Sequence, residues 1–205
     1  IILSLGFITC DTATVLAEED DQQYYLGLQI PYIWIGGDFD NDFYELEEES
    51  GYGVNFGATK DIYSCEFNYS QSEHNVLNYS PKSTAKFESL NVSVKVSSSS
   101  FNNRRFSPYG LIGWGITNLS IENGAMDLDT GKYYPIKCEG TGFHLGFGLN
   151  CKLNKKVAID GLIAHYRYSI DKIKIPGTSY EPHEPPKYDV MLINTVASLG
   201  IQYYF

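Results

Sequence analysis

Seven polar side chains are the first candidates for chemistry in this 205-residue chain, because they lie on the polar faces of segments in which apolar and polar residues alternate. They are Glu66, Lys95, His144, Asn150, His165, Arg167 and Asp171. If those faces enclose a common interior, each charge needs a partner that offsets its lost hydration, for example Arg167 beside Glu66. We therefore expect an interior polar network. It either fills the interior as a plug or lines a narrow pore, and the sequence leaves both uses open.

Nucleophilic catalysis needs a serine within hydrogen-bond reach of a histidine. His165 and Ser169 share one strand face, but four residues of extended chain separate their side chains by roughly 13 Å. His74 and His183 are expected in loops, where a serine can approach them only in the folded chain. No His-x-Ser-Asn motif is present. We expect no catalytic residue and no enzymatic activity.

The cysteines indicate neither a metal site nor a disulfide framework. Cys65, Cys138 and Cys151 are an odd number after residue 17, and none has the spacing of a metal knuckle. We expect Cys65 and Cys151 to be small apolar residues on outward strand faces. Cys138 is expected in an external loop as a free thiol, with a disulfide to another cysteine as the alternative. No metal and no cofactor are expected.

Eight alternating segments position these side chains. They cover residues 24–36, 52–59, 63–69, 86–96, a fifth segment that starts after Pro108, and then 143–152, 157–173 and 191–205. A period of two is that of a strand with one apolar face. In the seventh segment we expect Tyr166, Tyr168 and Ile170 on the outward, apolar face. Asp160 then shares that face, which is tolerable only at the edge of an apolar layer.

The connections between these segments alternate in length. Three shorter links lie at residues 60–61, 97–107 and 154–156, and four longer, more polar links lie at 38–50, 71–83, 122–140 and 174–189. An even number of strands with such links is what an up-and-down barrel requires. No apolar run reaches about 18 residues, the length of a spanning helix. The sequence predicts an all-β, eight-stranded antiparallel up-and-down transmembrane β-barrel, with an interior that side chains can fill.

The C-terminus carries a recognisable pattern. The chain ends an alternating run with Gly200, Tyr203 and Phe205, and this ending resembles the C-terminal signal of bacterial outer-membrane β-barrels. The glycine-rich segment 107–115 is similar to a strand of small outer-membrane barrels of the opacity-protein and OmpA type. The resemblance covers residues 22–205. It implies that Gly200, Tyr203 and Phe205 form a membrane-insertion signal, read by the barrel-assembly machinery, and that the protein lies in the outer membrane.

The N-terminus agrees with export. Residues 1–8 form a short apolar run, and Val15, Leu16 and Ala17 follow with small or permissive side chains where a signal peptidase would cut. We interpret residues 1–17 as the remainder of a truncated signal peptide and residues 18–205 as one barrel domain. A first buried strand is the alternative interpretation of the apolar run.

Charge narrows the range of partners. A net charge of −10 argues against nucleic acid, whose phosphates need a basic surface. The link 38–50 holds seven acidic residues and no basic one, whereas the shorter links hold five basic residues, Lys60, Arg104, Arg105, Lys155 and Lys156. This difference favours acidic loops outside and basic turns inside the cell envelope. The expected partners are outer-membrane lipid, lipopolysaccharide and a host or surface ligand bound by the loops, and the expected state is a monomer.

The function implied is a structural, surface-exposed scaffold that presents four external loops for adhesion or interaction. The alternative is a narrow porin-like channel for small solutes. Two further classes are less consistent with the pattern. A soluble lipocalin-like barrel would place its apolar faces inside. A lipid A-modifying enzyme is considered because some enzymes of that kind resemble this chain, but the His-x-Ser-Asn motif is missing. The aromatic ending and the absence of a helical pattern after the last strand favour the membrane barrel.

Overall fold

The computed structural model describes residues 22–37, 45–77, 82–98, 105–126, 130–175 and 190–205. The expected signal peptide of residues 1–17, His183 and most of the link 174–189 lie outside these ranges. Across the part of the chain that is described, no helix is both long enough and apolar enough to cross a membrane.

The described chain is built of β-strands. They are β1 (Gln23–Gly37), β2 (Glu45–Leu46), β3 (Glu49–Lys60), β4 (Tyr63–Leu77), β5 (Thr84–Ser97), β6 (Phe106–Met126), β7 (Tyr133–Lys152), β8 (Val157–Lys174) and β9 (Met191–Tyr204). β2 is a two-residue segment that pairs with the far end of β4. The other eight strands form the barrel, so the predicted fold class is confirmed.

The eight long strands close into a ring in which every neighbouring pair is antiparallel, and β9 pairs with β1. Following paired residues once around the ring from Leu26 leads back to β1 at Gly36, a shift of ten residues (36 − 26). A closed sheet with such a shift has strands tilted by about 45° to the barrel axis. Its interior is narrow enough for side chains to fill.

The two ends of the barrel differ. One end, which we call the terminal end, carries Phe205, the turn between β3 and β4, and the links between β5 and β6 and between β7 and β8. In the first of these turns Asp61 has φ 52°, a left-handed conformation that aspartate tolerates better than most residues. The opposite end, the loop end, carries the other four connections.

The outer face of the barrel is an apolar belt. Its exposed side chains include Leu28, Ile30, Val54, Phe67, Leu90, Ile112, Trp114, Phe147, Leu149, Leu199 and Ile201. Ile30 is 66% exposed and Ile112 is 65% exposed. A contiguous apolar surface of this extent marks contact with lipid or with another apolar partner. In this closed barrel the arrangement excludes a lipocalin-like interior, because the apolar faces point outward on most strands.

β8 has the opposite orientation to the one expected from its sequence. Tyr166, Tyr168 and Ile170 are at most 8% exposed and point into the barrel. Asp160 also points inward and is 6% exposed. Alternation alone does not define which face is inside. Here the tyrosine rings pack against interior rings of other strands, Tyr166 on His144 and Tyr168 on Phe87.

Several segments expected to be loops are strand. Residues 71–77 belong to β4, residues 122–126 to β6 and residues 133–140 to β7. These extensions pair beyond the apolar belt, for example Asn75 with Thr84 and Met126 with Tyr133. Their sequences look like loops because their outward faces become polar once the strand leaves the belt.

Large and small residues complement each other inside the barrel. The Tyr25 ring ends against Gly57, and the Tyr109 ring ends against Gly148, at positions that a side chain on either glycine would occupy. Gly142 of β7 lies equally close to the backbone of β8. Interior space is therefore filled by aromatic rings that need glycine at the paired position of the neighbouring strand.

The close approach at Gly142 gives a test of the packing. In Gly142→Ala the new methyl group meets the Arg167 carbonyl and the Tyr168 backbone, so two strands must separate. We expect a loss of about 1–3 kcal/mol in the free energy of unfolding, measured by urea titration in lipid vesicles with tryptophan fluorescence.

Gly161→Ala is the matched control, because a methyl group there meets nothing within 4 Å. Its expected change is within about 0.5 kcal/mol. Equal losses in the two variants would contradict the packing described for β7 and β8.

Candidate functional site

Three ionisable side chains meet inside the terminal half of the barrel. Lys95 Nζ of β5 lies 2.8 Å from Glu66 Oε2 of β4 and 3.6 Å from Asp160 Oδ2 of β8. All three side chains are at most 7% exposed. We call these residues the ion cluster. One lysine between two carboxylates offsets one of the two negative charges that their burial would otherwise leave unpaired.

Neutral donors complete the ion cluster. The Tyr25 hydroxyl donates to Glu66 Oε2 at 2.7 Å, and the Tyr109 hydroxyl donates to Asp160 Oδ2 at 2.8 Å. Asn55 Nδ2 also donates to Glu66 Oε2, at 3.1 Å. The Lys95 ammonium lies 4.8 Å from the centre of the Tyr109 ring, within the range of a cation–π contact. The carboxylates therefore have several donors besides the lysine, as a buried network requires.

The structure places four of the seven expected network residues in the interior. Glu66 and Lys95 belong to the ion cluster, and Asn150 Nδ2 donates to Asp160 Oδ1 at 3.3 Å and to Gln202 Oε1 at 2.8 Å. His144 lies apart from the cluster. Its Nε2 is 2.8 Å from Ser93 Oγ, and its ring stacks on Tyr166 with centroids 4.6 Å apart.

Asp160 is the member of the ion cluster that sequence reasoning missed. The sequence contained a signal for its position, because an aspartate on the lipid-facing side of β8 would bury an unpaired charge at a high cost in free energy. Reversing the faces of β8 removes this conflict and places Asp160 beside Lys95.

The other three expected network residues are not in the interior. His165, Arg167 and Asp171 are exposed on the outside of β8. Arg167 Nη2 lies 2.8 Å from Met191 Sδ, and Asp171 Oδ2 accepts from Thr141 Oγ1 at 3.0 Å. The expected pairing of Arg167 with Glu66 is therefore wrong, since the reversed face of β8 puts the wall of the barrel between them.

The loop half of the interior is closed by apolar side chains. We call this cluster the apolar plug; its buried members include Ile33, Leu46, Val76, Phe87, Leu119, Ile121, Cys138, Tyr168, Ile170, Val190 and Leu192. Leu46 comes from β2, so the first long connection contributes a side chain to the barrel interior. Between the plug and the ion cluster lies a cavity of about 10 Å³, lined in part by Gln29, Asn68 and Asn194. That volume is about what one water molecule occupies.

Cys138 was expected in an external loop, but it lies in β7 within the apolar plug. It is beyond the apolar belt, and burial raises the pKa of its thiol to about 12. The thiol therefore stays protonated and unreactive at neutral pH. Cys65 and Cys151 are half-buried on the outer side of β4 and β7, and no disulfide joins any of the three cysteines within the described residues.

Two serine–histidine contacts occur in the described residues. Ser72 Oγ lies 2.7 Å from His74 Nε2, and His74 Nδ1 lies 2.8 Å from the Glu47 carbonyl oxygen. The second contact joins Ser93 to His144. Ser72 and Ser93 are at most 4% exposed, so no substrate carbonyl can reach either hydroxyl in this conformation. Instead, His74 attaches the segment after β2 to β4.

The expected insertion-signal residues lie together at the terminal end. Phe205 is 65% exposed on the outer face and stacks on Tyr24, with ring centroids 6.3 Å apart. Tyr203 is 49% exposed on the same face, and Gly200 pairs with Gln29 inside the wall. Their role as an insertion signal stays a prediction.

The ion cluster predicts that the stability of the folded barrel depends strongly on Lys95. Lys95→Met leaves two buried carboxylates without their cation, and we expect a loss of about 3–5 kcal/mol in the free energy of unfolding. Adding Glu66→Gln to this variant is expected to restore part of the loss, because the two residues are partners. Urea unfolding in lipid vesicles measures both effects.

Lys86→Met is the matched control for this experiment. Lys86 belongs to the same strand, but its side chain is 47% exposed and pairs with Glu88 on the outer surface. We expect a much smaller loss, since exposed ion pairs contribute little. Additive losses in the double variant, or equal losses in the two lysine variants, would contradict the ion cluster.

His74 predicts a pH-dependent attachment of β2. It lies above the apolar belt, and desolvation lowers its pKa. Above pH about 6.5 the imidazole is neutral in both the attached and the detached state. Below that pH the detached histidine gains a proton that the buried one resists, so attachment weakens as the pH falls. The Glu47 amide donates to the Asn75 carbonyl at 2.9 Å. After correction for intrinsic exchange rates, hydrogen exchange at this amide is expected to accelerate as the pH falls.

His74→Asn removes the titrating group and serves as the control. Its exchange at Glu47 is expected to lack the acceleration, after correction for intrinsic exchange rates. The same pH profile in both proteins would show that His74 does not control the attachment.

Comparison with known proteins agrees with this geometry. The chain matches the family described as "Outer membrane protein beta-barrel domain" over residues 2–205. No curated protein sequence matches it. Among solved structures, Neisserial surface protein A is 12% identical with a TM-score of 0.54, and the alignment covers 89% of this chain and 97% of that one.

Two further structures share the fold. The attachment invasion locus protein Ail of Yersinia pestis, in complex with the heparin analogue sucrose octasulfate, is 15% identical with a TM-score of 0.55, covering 90% of this chain and 99% of that one. A major outer membrane protein from Thermus thermophilus is 13% identical with a TM-score of 0.51, covering 90% and 99%. At these identities the likeness shows the fold alone. The family match covers nearly the whole chain, and this chain therefore belongs to the outer membrane protein beta-barrel domain family, with its apolar belt in the lipid of the outer membrane.

Proposed function

We propose that this protein is a non-conducting, non-enzymatic scaffold that presents its four long connections at the cell surface for adhesion or interaction. The observation that carries the proposal is the double closure of the interior. The ion cluster fills the terminal half, and the apolar plug fills the loop half. A solute crossing the barrel has to displace both.

The two closures oppose permeation for different physical reasons. Moving Lys95 out of the ion cluster leaves Glu66 and Asp160 as unpaired buried carboxylates, which costs several kcal/mol. The apolar plug offers no hydrogen-bond partner to a hydrated ion that enters it. The cavity of about 10 Å³ between them is too small for a solute larger than water. These observations favour the scaffold over the porin-like alternative.

The nature of the partner is suggested by charge. The structure of Ail contains a heparin analogue, which is a polyanion. In this chain the first long connection carries seven acidic residues and no basic one between residues 38 and 50. Glu45, Glu47 and Glu48 are exposed at its described end. We therefore propose that this connection binds a basic surface of a partner and repels sulfated polysaccharide.

Other partners follow from membrane location. The barrel contacts lipid through its apolar belt. We propose that the barrel-assembly machinery reads Gly200, Tyr203 and Phe205, and that the protein acts as a monomer.

One experiment with two readouts tests the scaffold. Purified protein in planar lipid bilayers is expected to show no discrete conductance steps, because both closures persist in the folded state. On cells that display the protein, polylysine is expected to bind and heparin is not. The combined variant Glu45→Gln, Glu47→Gln and Glu48→Gln is expected to weaken polylysine binding several-fold, since it removes three negative charges.

The control removes the same charge elsewhere. Glu73→Gln, Glu88→Gln and Glu122→Gln lie on β4, β5 and β6 and are expected to weaken polylysine binding less. A stable conductance in the bilayer would overturn the scaffold in favour of the pore. Heparin binding, or equal weakening by the two triple variants, would overturn the role of the first connection.

A further inference from the structure

Two basic side chains of β8 point toward lipid. His165 and Arg167 lie on the outer face, where their paired neighbours on β7 are Leu145 and Phe143. Both of those neighbours are more than half exposed, at 54% and 51%. A guanidinium beside exposed apolar side chains is costly near the middle of a bilayer, and the cost falls toward the interfaces.

The height of Arg167 on the barrel places it at such an interface. It lies ten residues (167 − 157) above Val157, the first residue of β8 at the terminal end. Ten residues of strand extend about 33 Å, which at a tilt of about 45° is a rise of roughly 23 Å. The apolar band of such barrels is about 25 Å tall. Because short turns face the periplasm and long loops face outward in this class, Arg167 lies at the outer leaflet.

The contacts of Arg167 leave its charge without an acidic partner among the described residues. Its Nε and Nη2 atoms lie 3.0 and 2.8 Å from Met191 Sδ, a weak acceptor. His165 Nδ1 lies 3.3 Å from Thr195 Oγ1. Neither side chain takes part in an ion pair within the described part of the barrel.

The nearby carboxylates are already engaged. Asp171 Oδ2 accepts from Thr141. Glu139 lies 2.6 Å from Lys174 Nζ and 3.8 Å from Lys172 Nζ, and the hydrogen bond from Lys174 lowers the pKa of Glu139. The outer side of β7 and β8 therefore combines an available guanidinium with an apolar surface directly below it.

We propose that His165 and Arg167 form a binding site for a phosphate group of the phosphorylated glycolipid in the outer leaflet. Arginine presents a planar fork of donors that matches phosphate oxygens, and histidine adds a further ring donor. Side chains two apart on one strand face are about 7 Å apart at their roots, so both can reach one phosphate. The acyl chains of the same lipid lie against Phe143, Leu145 and Ile163, so one molecule satisfies the charge and covers the apolar surface.

The test uses protein folded in phosphatidylcholine nanodiscs that contain lipid A with its phosphates, lipid A without phosphates, or phosphatidylglycerol. Retained lipid is counted by native mass spectrometry as the detergent concentration rises. We expect the wild-type protein to retain phosphorylated lipid A at least about tenfold more strongly than Arg167→Gln does, as loss of a charge-assisted contact predicts. His165→Ala is expected to show a smaller loss.

Arg105→Gln is the matched control, because Arg105 is exposed at the terminal end, beside Phe106. It is expected to retain phosphorylated lipid A as the wild-type protein does. Altered mobility of unheated samples on gels identifies any variant that fails to fold, and Arg167→Lys then replaces Arg167→Gln, with a partial loss expected because lysine keeps the charge without the fork.

Three outcomes would overturn the site. The first is equal retention of phosphorylated lipid A by the wild-type protein and Arg167→Gln. The second is equal retention of lipid A with and without phosphates by the wild-type protein. The third is equal retention of phosphatidylglycerol, which would assign the site to any anionic lipid rather than to the glycolipid.

Discussion

Closure of eight strands with a ten-residue shift is the constraint on which the rest of the structure depends. It sets an inner width that side chains must fill, because an interior at packing density has no room for bulk water. The filling follows a size rule, in which Tyr25 lies over Gly57 and Tyr109 lies over Gly148. Each of these rings requires a glycine at the paired position of the neighbouring strand. The glycines of β3 and β7 are therefore part of the core rather than sites of flexibility.

The same closure makes the interior charges depend on one another. Lys95 satisfies Glu66 and Asp160 from the middle of the barrel, and hydroxyl and amide donors from other strands complete both carboxylates. A network of this kind joins β1, β3, β4, β5, β6, β7 and β8 through side chains as well as through the sheet. Beyond it the interior becomes apolar, so the barrel is filled by a charged layer in its terminal half and an apolar layer in its loop half.

The outer surface of the barrel is adapted to contact with membrane lipid. Lipid offers no hydrogen-bond partner to outward side chains, so these are apolar along most strands, and charge is penalised at mid-height. His165 and Arg167 therefore occur where the apolar belt ends, next to the extension of β7, whose outward residues include Lys137 and Glu139. The strands continue past the membrane because β4 to β5 and β6 to β7 keep their hydrogen bonds there. This added length supports the long connections above the lipid surface.

The sequence by itself determined the number of barrel strands, their antiparallel order and the outward faces of β1, β4, β6 and β7, because a period of two with clearly different faces carries that information. It also placed Glu66, Lys95, His144 and Asn150 on polar faces. Only the tertiary structure decided the orientation of β8, since each of its faces combines apolar and ionisable residues. There the inward orientation places Asp160 beside Lys95, the Tyr166 ring on His144 and the Tyr168 ring against Phe87. The lengths of β4, β6 and β7 were likewise decided by pairing between neighbours, because the outward face becomes polar beyond the lipid and its apolar run stops before the strand ends.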